Sequence, residues 1–368
     1  MAEPFKNLLD ANRVRLIARD FERAWPEFPS RRFIRAATTG LEALELKARA
    51  QHIAEALAAA LPPDATTAMR LAIRALGPPL SRTQGNGNDV FHYMPLGTWL
   101  HDVGPKDVET ALVANYELTK RFTAEFSIRP LILQAPERTL KALRVWTKDP
   151  DPHVRRLVSE GSRPRLPWAE RLPAVQRAPS LTLPLLEALK DDPSEYVRRS
   201  VANHLNDVAK DHPAVVLATA RRWLKGASPA RRKLVEHALR TLLKAGDRQA
   251  LALVGASGDE LEVEGTVTPR ALRVGEAITV RATVKNRGDA QTHVVVEAVV
   301  HFKRPSGKPS TKKFRVARFD LAPGASREVS RRFLMAHRSI RALHAGRHPV
   351  DVQANGQVAR AGGFVLST

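Results

Sequence analysis

The chain has 368 residues, enough for two or three domains, and its 59 Lys and Arg against 38 Asp and Glu give a formal charge of +21. Its hydrophobic fraction of 43% excludes a disordered chain, and the absence of cysteine excludes disulfides, a cysteine nucleophile and thiolate zinc sites. No apolar run approaches the roughly 20 residues that span a bilayer, and the N-terminal segment lacks a secretory signal pattern, so a cytoplasmic protein without membrane attachment is expected.

Helical periodicity extends to about residue 255, in a region where Ala, Leu and Arg dominate. Prolines and glycines delimit several segments and favour short helices. None of these segments is long enough for a coiled coil. The predicted helices are Leu41–Leu61, Thr67–Leu76, Asp107–Phe126 and Thr139–Thr147.

A repeated motif follows these helices. DPDPHVRRLVSEGS begins at Asp149 and DDPSEYVRRSVANHLND begins at Asp191, and aligning residues 154–156 with residues 197–199 gives a period of 43 residues. This period is typical of HEAT and armadillo repeats, which have about 40–47 residues. Because one helical hairpin cannot bury its apolar stripe alone, neighbouring pairs are predicted to stack into a solenoid.

The basic surplus indicates a polyanionic partner, and its spread through folded sequence favours nucleic acid over a membrane surface. Such cations, placed along a groove, suit the backbone of a duplex. Four arginine pairs lie at the starts or ends of predicted helices: Arg155 with Arg156, Arg198 with Arg199, Arg221 with Arg222, and Arg231 with Arg232. The first two pairs are among the residues predicted to bind DNA. The alternative is that each pair lies on a solvated helix face with local acidic partners.

The segment SEGSRPRLPWAERLP, residues 159–173, is restricted by prolines and contains Trp168. Arg163 and Arg165 flank its beginning and are also predicted to bind DNA. A rigid Trp beside a carboxylate and two arginines suits a sugar or a base held against the ring. The alternative is a core Trp that fills a gap between repeats.

Three carboxylates are ambiguous from spacing alone. Glu125 follows Glu117 and Arg121 on one face of the predicted helix, which favours a surface ladder of salt bridges. Glu160 has the same ambiguity, because Arg156 precedes it by four residues and could form a surface salt bridge with it. Asp207 lies near a helix end, where a capping or solvated role is ordinary.

The composition changes near Gly255–Asp259 to an alternation of Val and Thr with polar residues, which predicts strands. We therefore predict a helical domain over residues 1–257 and a second domain over residues 259–368. Seven short strands separated by turn signals are typical of an immunoglobulin-like sandwich. The predicted strands are Glu262–Thr268, Ala277–Lys285, His293–Phe302, Phe314–Phe319, Arg327–Phe333, Val350–Ala354 and Gly363–Leu366.

Three further arginines, Arg338, Arg341 and Arg347, lie among histidines near the end of the second domain. The histidines lack ordered metal-ligand spacing, so no metal site is predicted. A basic loop that contacts a phosphate or the minor groove of DNA is favoured instead.

At DPDPHVRRLVSEGSRPRLPWAERLP the sequence resembles the bacterial alkylpurine DNA glycosylases of the HEAT-like-repeat AlkC/AlkD superfamily. The Ser-Glu-Gly…Arg-Pro-Arg-Leu-Pro-Trp run resembles the AlkC branch in particular. The resemblance covers residues 1–257, and some AlkC members carry a C-terminal immunoglobulin-like domain. It implies a mainly α fold, a right-handed HEAT-like-repeat α-solenoid followed by a small all-β immunoglobulin-like sandwich.

The resemblance further implies excision of N3-methylated bases, chiefly 3-methyladenine and 3-methylcytosine, by hydrolysis of the N-glycosidic bond. It implies that the lesion is not flipped into a deep pocket. The catalytic residues of the family would fall on Glu125, Glu160 and Trp168, with Asp207 as a further candidate. Glu160 and Trp168 lie in the motif, whereas Glu125 lies in the less distinctive stretch KRFTAEFSIRP.

The chemistry of such bases agrees with these side chains. Because an N3-methylated base is already cationic, its departure needs no general acid, and the barrier lies in the oxocarbenium character of the deoxyribose. Fixed carboxylates stabilise that charge, so neither a metal nor another cofactor is required. No Lys stands beside the motif as a Schiff-base nucleophile, and a monofunctional monomer acting on alkylated double-stranded DNA is expected. The rival predictions are a non-catalytic HEAT-repeat scaffold that binds nucleic acid, and a protein-binding solenoid.

Overall fold

A computed structural model describes residues 4–256, 258–305, 307, 309–337 and 342–367 of the chain. Helices occupy the chain up to Leu253 and strands follow from Leu261, which confirms a mainly helical region followed by an all-β domain. Packing divides the chain into one compact unit of Met1–His212 with Ala227–Ala238, and another of Pro213–Gly226 with Leu239–Thr368. The domain boundary between residues 257 and 259, which follows composition, stays a prediction.

The helices are short and several begin at an aspartate. Asp side chains accept a hydrogen bond from a first-turn backbone N–H, which satisfies a donor that the helix itself leaves free; these are Asp10, Asp64, Asp107, Asp151 and Asp247. In chain order the α-helices are α1 (Ala11–Ala24), α2 (Ser30–Thr38), α3 (Leu46–Ala60), α4 (Ala65–Ala75), α5 (Met94–Val103), α6 (Val108–Thr119), α7 (Arg129–Gln134), α8 (Pro136–Trp146), α9 (Pro152–Gly161), α10 (Pro173–Arg177), α11 (Leu183–Leu189), α12 (Glu195–Val208), α13 (Pro213–Leu224), α14 (Pro229–Ala245) and α15 (Arg248–Leu253).

The helix predicted over Asp107–Phe126 is wrong at its end, because α6 stops at Thr119. The backbone N–H groups of residues 121 and 122 both donate to the carbonyl of Leu118, which tightens the last turn. The Thr123 hydroxyl then donates to Glu125 at 2.9 Å, a local bond that competes with helix continuation. The chain therefore turns between α6 and α7.

The other predicted helices are present with shifted ends. The largest shift is at the beginning of the helix predicted over Leu41–Leu61, where a 3-10 turn at Leu41–Ala43 precedes an extended Leu44 and Glu45. The 3-10 helices of the described residues are Phe5–Leu8, Leu41–Ala43, Asp89–Tyr93, Gly104–Lys106 and Pro179–Leu181.

Helices α9 and α12 are the two copies of the repeated motif, and they pack against each other. Arg155 donates through Nη1 to the carbonyl oxygens five and six residues before it, and Arg198 makes the same two bonds in its own copy. Arg155 also binds Asp192, at the beginning of the next copy, through Nε at 2.6 Å and Nη2 at 3.1 Å. This arginine therefore stabilises the turn of its own copy and its contact with the next.

The β domain has eight strands among the described residues, arranged in two sheets. The strands are β1 (Leu261–Thr268), β2 (Ala271–Arg273), β3 (Ala277–Asn286), β4 (Thr292–Phe302), β5 (Ser310–Leu321), β6 (Ser326–Leu334), β7 (Gly346–Ala354) and β8 (Gln357–Ser367). One sheet is antiparallel with the order β1-β3-β6, and the other has the order β2-β8-β7-β4-β5, in which β2 is parallel to β8. All seven predicted strands are present and each is longer than predicted, and the three-residue β2 was not predicted.

The core of the sandwich follows the alternation seen in the sequence. Every second residue of β3 is buried, because successive side chains of a strand point to opposite faces; these residues are Ile278, Val280, Ala282, Val284 and Asn286. Among the helices of the described residues, none has the length and apolar character needed to cross a membrane.

Candidate active site

Glu160, the penultimate residue of α9, is almost completely buried at the centre of a charged cluster. Its Oε1 accepts a hydrogen bond from Arg163 Nη1 at 2.6 Å and lies 3.7 Å from Arg156 Nη2. Its Oε2 accepts a hydrogen bond from the hydroxyl of Ser200, on α12, at 2.7 Å. Burial opposes ionisation, but Arg156, Arg163 and Ser200 outweigh it and hold the pKa of Glu160 below its ordinary value. Glu160 is therefore a buried anion at neutral pH.

The turn between α6 and α7 brings Glu125 to the same cluster. Its Oε2 lies 2.5 Å from Arg156 Nη1, so Arg156 stands between Glu125 and Glu160. The alternative of a surface ladder is wrong for Glu125, because Arg121 pairs with Glu117 on α6 and Glu125 lies beyond the end of that helix. Burial opposes the charge of Arg156, but the two carboxylates outweigh it and raise its pKa.

Asp207, on α12, is the third carboxylate of the cluster and is 1% exposed, so the alternative of a solvated helix end is wrong. Its Oδ2 accepts a hydrogen bond from Arg163 Nε at 2.8 Å, and its Oδ1 accepts one from Lys210 Nζ at 2.9 Å. Arg163 therefore lies between Asp207 and Glu160. We call Glu125, Glu160, Asp207, Arg156 and Arg163 the carboxylate cluster.

The side chain of Trp168 is at the surface, where 72% of it is exposed, so the alternative of a core Trp is wrong. Its φ of 68° lies in the left-handed region, which costs a bulky residue about 1–3 kcal/mol and persists only where surrounding contacts hold it. Buried Arg129 holds this loop by donating to the carbonyl oxygens of Gly161 and Arg163 before Trp168, and of Glu170 after it, at 2.6–3.0 Å. The loop thus fixes an exposed ring close in sequence to the cluster.

Lys47, on α3, is a second anchor of the Trp168 loop. Its Nζ donates to the Trp168 carbonyl at 2.9 Å and lies 5.5 Å from the centroid of the ring, the geometry of a cation–π contact. The sequence showed no Lys near the motif, because Lys47 precedes it by more than 100 residues. No local pattern could have identified this contact.

Other polar groups behind the cluster were also missed in the sequence. The Ser159 hydroxyl donates to the Ser200 hydroxyl at 2.6 Å, and the Ser159 carbonyl is 2.9 Å from His204 Nδ1. Burial lowers the pKa of His204 to about 4, so this ring is neutral at pH 7. The Tyr196 ring lies 5.4 Å from the Arg156 guanidinium. Across the part of the chain that the structure describes, no group of three or more His, Asp or Glu is arranged to hold a metal ion.

The arginines predicted to bind DNA differ in their surroundings. Arg165 forms a two-bond pair with Asp211 at 2.6 and 2.9 Å, which agrees with the alternative of local acidic partners. Arg199 and Arg347 are exposed, on α12 and β7 respectively. Arg338 and Arg341 lie outside the described residues. The remaining four bind carboxylates or carbonyl groups of the chain itself: Arg155, Arg156, Arg163 and Arg198. Contacts of all nine with DNA stay predictions.

Comparisons with known proteins cover both domains. Residues 262–368 match the family described as the C-terminal Ig-like domain of the uncharacterised protein YhaZ. The uncharacterized protein YhaZ of Bacillus subtilis (strain 168) is 31% identical over 340 residues, which cover 91% of each chain. The solved structure of the Pseudomonas fluorescens alkylpurine DNA glycosylase AlkC, bound to DNA containing an abasic site analog, matches with a TM-score of 0.88 and 33% identity over 100% of both chains. The chain belongs to the AlkC family.

Membership of the AlkC family confirms the resemblance found in the Glu160–Trp168 motif. The match to the AlkC structure extends over the whole chain, so it includes the helices and turns that carry the carboxylate cluster as well as the sandwich. The separate match of residues 262–368 confirms that the sandwich is immunoglobulin-like.

Proposed function

We propose that this chain is a DNA glycosylase that hydrolyses the N-glycosidic bond of cationic N3-alkylated bases, 3-methyladenine and 3-methylcytosine, in duplex DNA. The observation that carries this proposal is the carboxylate cluster, in which Arg156 and Arg163 hold three acidic side chains together. The AlkC relative, described as an alkylpurine DNA glycosylase and solved with DNA, supports the reaction class and the partner. The product would be an abasic site for base excision repair.

The carboxylate oxygens of the two glutamates differ in whether they already accept a hydrogen bond, and this difference gives the two residues different roles in the proposal. Within the described residues, no donor hydrogen-bonds Oε1 of Glu125, whose side chain is 13% exposed, so this oxygen can orient a water molecule at the anomeric carbon. Both oxygens of Glu160 are engaged, so Glu160 acts as a fixed negative charge beside the oxocarbenium-like sugar. The cationic base leaves without a general acid.

Trp168 would contact the damaged nucleotide with its exposed ring, whose face favours a cation or the polarised C–H edge of a sugar. Because this ring stands on the surface, the proposal requires no flipping of the lesion into a deep pocket. Exposed Arg199 and Arg347 would bind phosphates. We further propose a monofunctional, cofactor-free, cytoplasmic monomer.

A non-catalytic nucleic-acid scaffold is the competing function. It would need exposed cations along a groove, and a single largely buried pair such as Arg155 with Asp192 is enough to join its repeats. Here the buried Arg163 binds Glu160 and Asp207, both themselves buried. Removing several charges from water at one place costs desolvation energy. A scaffold gains nothing from this concentration of buried charge, whereas an enzyme needs it to stabilise a charged sugar, so the cluster favours the enzyme.

Replacing Glu160 by Gln is expected to lower the rate of base release about 100-fold or more, because the amide keeps the shape of the carboxylate but loses its charge. The measurement is chromatography of free 3-methyladenine and 3-methylcytosine released from methylated duplex DNA under single-turnover conditions. Glu109→Gln, at an exposed position of α6, is the matched control and should leave the rate unchanged.

Three outcomes of this experiment would contradict the proposal at different levels. Equal rates for the wild type and Glu160→Gln would remove Glu160 from the reaction. Preferential release of 7-methylguanine would refute the proposed substrates. Binding of duplex DNA without release of any base would leave only the scaffold function.

Replacing Trp168 by Ala is expected to lower the single-turnover rate about 10- to 100-fold, because the ring contact with the sugar or base is lost. The free energy of unfolding should change by less than about 0.5 kcal/mol, since the side chain is exposed. Urea denaturation and the base-release assay measure the two effects. Val145→Ala, at an exposed position of α8, is the control that should change neither. A destabilised variant with an unchanged rate would show that Trp168 is structural.

A further inference from the structure

Two serine hydroxyls form a short chain of hydrogen bonds that ends on Glu160. Ser200 Oγ lies 2.7 Å from Glu160 Oε2, and Ser159 Oγ lies 2.6 Å from Ser200 Oγ. Ser159 is on α9 and Ser200 is on α12, and both are buried. A hydroxyl has one proton to donate. Because an ionised carboxylate can only accept, the bonds run from Ser159 to Ser200 and from Ser200 to Glu160.

A second contact joins the backbone of α9 to α12 behind the serines. His204 is neutral, and its Nδ1 lies 2.9 Å from the Ser159 carbonyl, so Nδ1 carries the ring proton and donates. His204 Nε2 is then an acceptor for the Thr182 hydroxyl at 3.2 Å. Ser159 Oγ also lies 3.1 Å from the Arg156 carbonyl, but the shorter contact of 2.6 Å with Ser200 Oγ requires a proton between the two hydroxyls, and Ser200 already donates its own proton to Glu160.

Ser200 supplies the contact that the arginines do not. Arg156 and Arg163 both approach Oε1 of Glu160, and a carboxylate held by one oxygen can still rotate about its terminal bond. The bond from Ser200 to Oε2 fixes the plane of the carboxylate. A fixed plane matters for a charge that must face a sugar, because catalytic stabilisation depends on preorganised geometry.

We propose that Ser200 is a positioning residue of the glycosylase, which holds the carboxylate of Glu160 in the orientation that stabilises the departing nucleotide's sugar. This inference rests on the proposed function. The competing interpretation is that the Ser159–Ser200 bond merely joins α9 to α12.

A pH profile separates these interpretations. The hydrogen bond from Ser200 is one of the interactions that lower the pKa of Glu160, so its removal should raise that pKa. Glu160 acts as an anion, so the rate falls as the pH falls through its pKa, and a higher pKa moves this acid limb to higher pH. Ser200→Ala removes none of the other charged and titratable groups around Glu160; they are Glu125, Arg156, Arg163, Tyr196, His204 and Asp207.

The test is Ser200→Ala in the full chain, with single-turnover release of 3-methyladenine measured across pH. We expect a rate about 10-fold lower at neutral pH and an acid limb shifted upward by about one pH unit. Ser162→Ala is the matched control, because Ser162 is equally buried but its hydroxyl donates to the Val158 carbonyl at 2.6 Å. It should lose similar stability without moving the pH profile.

Should Ser200→Ala fail to fold, Ser200→Cys keeps a side chain of the same shape that is only slightly larger and donates only weakly, and the same upward shift is expected. The chain has no other cysteine to form a disulfide with it. A wild-type profile in either folded variant, together with an inactive Glu160→Gln, would overturn the role of Ser200 and leave the glycosylase in place. Absence of base release by the wild type would overturn both.

Discussion

Replacing Arg163 by Met is expected to lower the free energy of unfolding by about 3–5 kcal/mol at neutral pH. The guanidinium of Arg163 is buried between Glu160 and Asp207 and donates to both. Met occupies similar volume but carries no charge, so both buried carboxylates would lose their shared partner. Urea denaturation at pH 7 measures this loss.

The cost of Arg163→Met should depend on pH. In the wild type, the lowered pKa of Glu160 contributes stability above the ordinary carboxyl pKa, and this contribution is lost as the pH falls through the lowered value. The variant lacks much of this contribution, so its deficit should shrink when denaturation is repeated near pH 4. Arg165→Met is the control, because its pair with Asp211 is partly exposed and is worth less than about 1 kcal/mol. Equal losses at positions 163 and 165 would contradict a buried cluster.

Replacing Arg129 by Met is expected to cost a similar 3–5 kcal/mol, because three backbone carbonyl groups lose their donor. Burial lowers the pKa of Arg129 to about 10, so it stays charged at neutral pH and binds these carbonyls as a cation. The Trp168 loop should then open locally before the rest of the domain. Limited trypsin digestion with mass spectrometry should show early cleavage after Arg165 and Arg171, which flank Trp168.

Lys47→Met is the control for Arg129→Met, because it removes the other anchor of the Trp168 loop from an exposed position. It should change the free energy of unfolding by less than about 0.5 kcal/mol and leave most of the loop protected from trypsin. If both variants expose the same cleavage sites at the same rate, Arg129 is not the principal support of the loop.

The sequence identified those parts of the site that are close together in the chain. Glu160 and Trp168 lie eight positions apart in one unusual motif. The repeat also placed Asp207 near the end of the second copy's helix, and this helix, α12, packs against α9, which carries Glu160. Glu125 was identified only through the family resemblance. Helical spacing grouped it with Glu117 and Arg121 on one helix face, whereas the turn after α6 separates it from them. Periodicity assumes that a helix continues, and it fails where a side chain ends the helix.

The supporting groups could not be predicted. Arg129, Ser200 and Lys47 are common residue types in ordinary helices, and their roles arise from contacts with residues 32 to 121 positions away in the sequence. The net charge also carries no information about the local surroundings of each arginine. It indicated a polyanionic partner, but it could not separate Arg155, which binds Asp192, from exposed Arg199.

The internal duplication supplies the two sides of one charged cluster. With the 43-residue offset, Arg155 and Arg198 make the same bonds to their turns, whereas Glu160 corresponds to Asn203. Asn203 Oδ1 lies 3.1 Å from His237 Nε2, so the second copy places an uncharged amide where the first copy carries an anion. The second copy instead contributes Ser200 and Asp207, which accept or donate hydrogen bonds with Arg163 and Glu160. Two copies of one hairpin therefore share a single reactive centre, and a substitution in either copy that shifts their packing would alter the geometry of that centre.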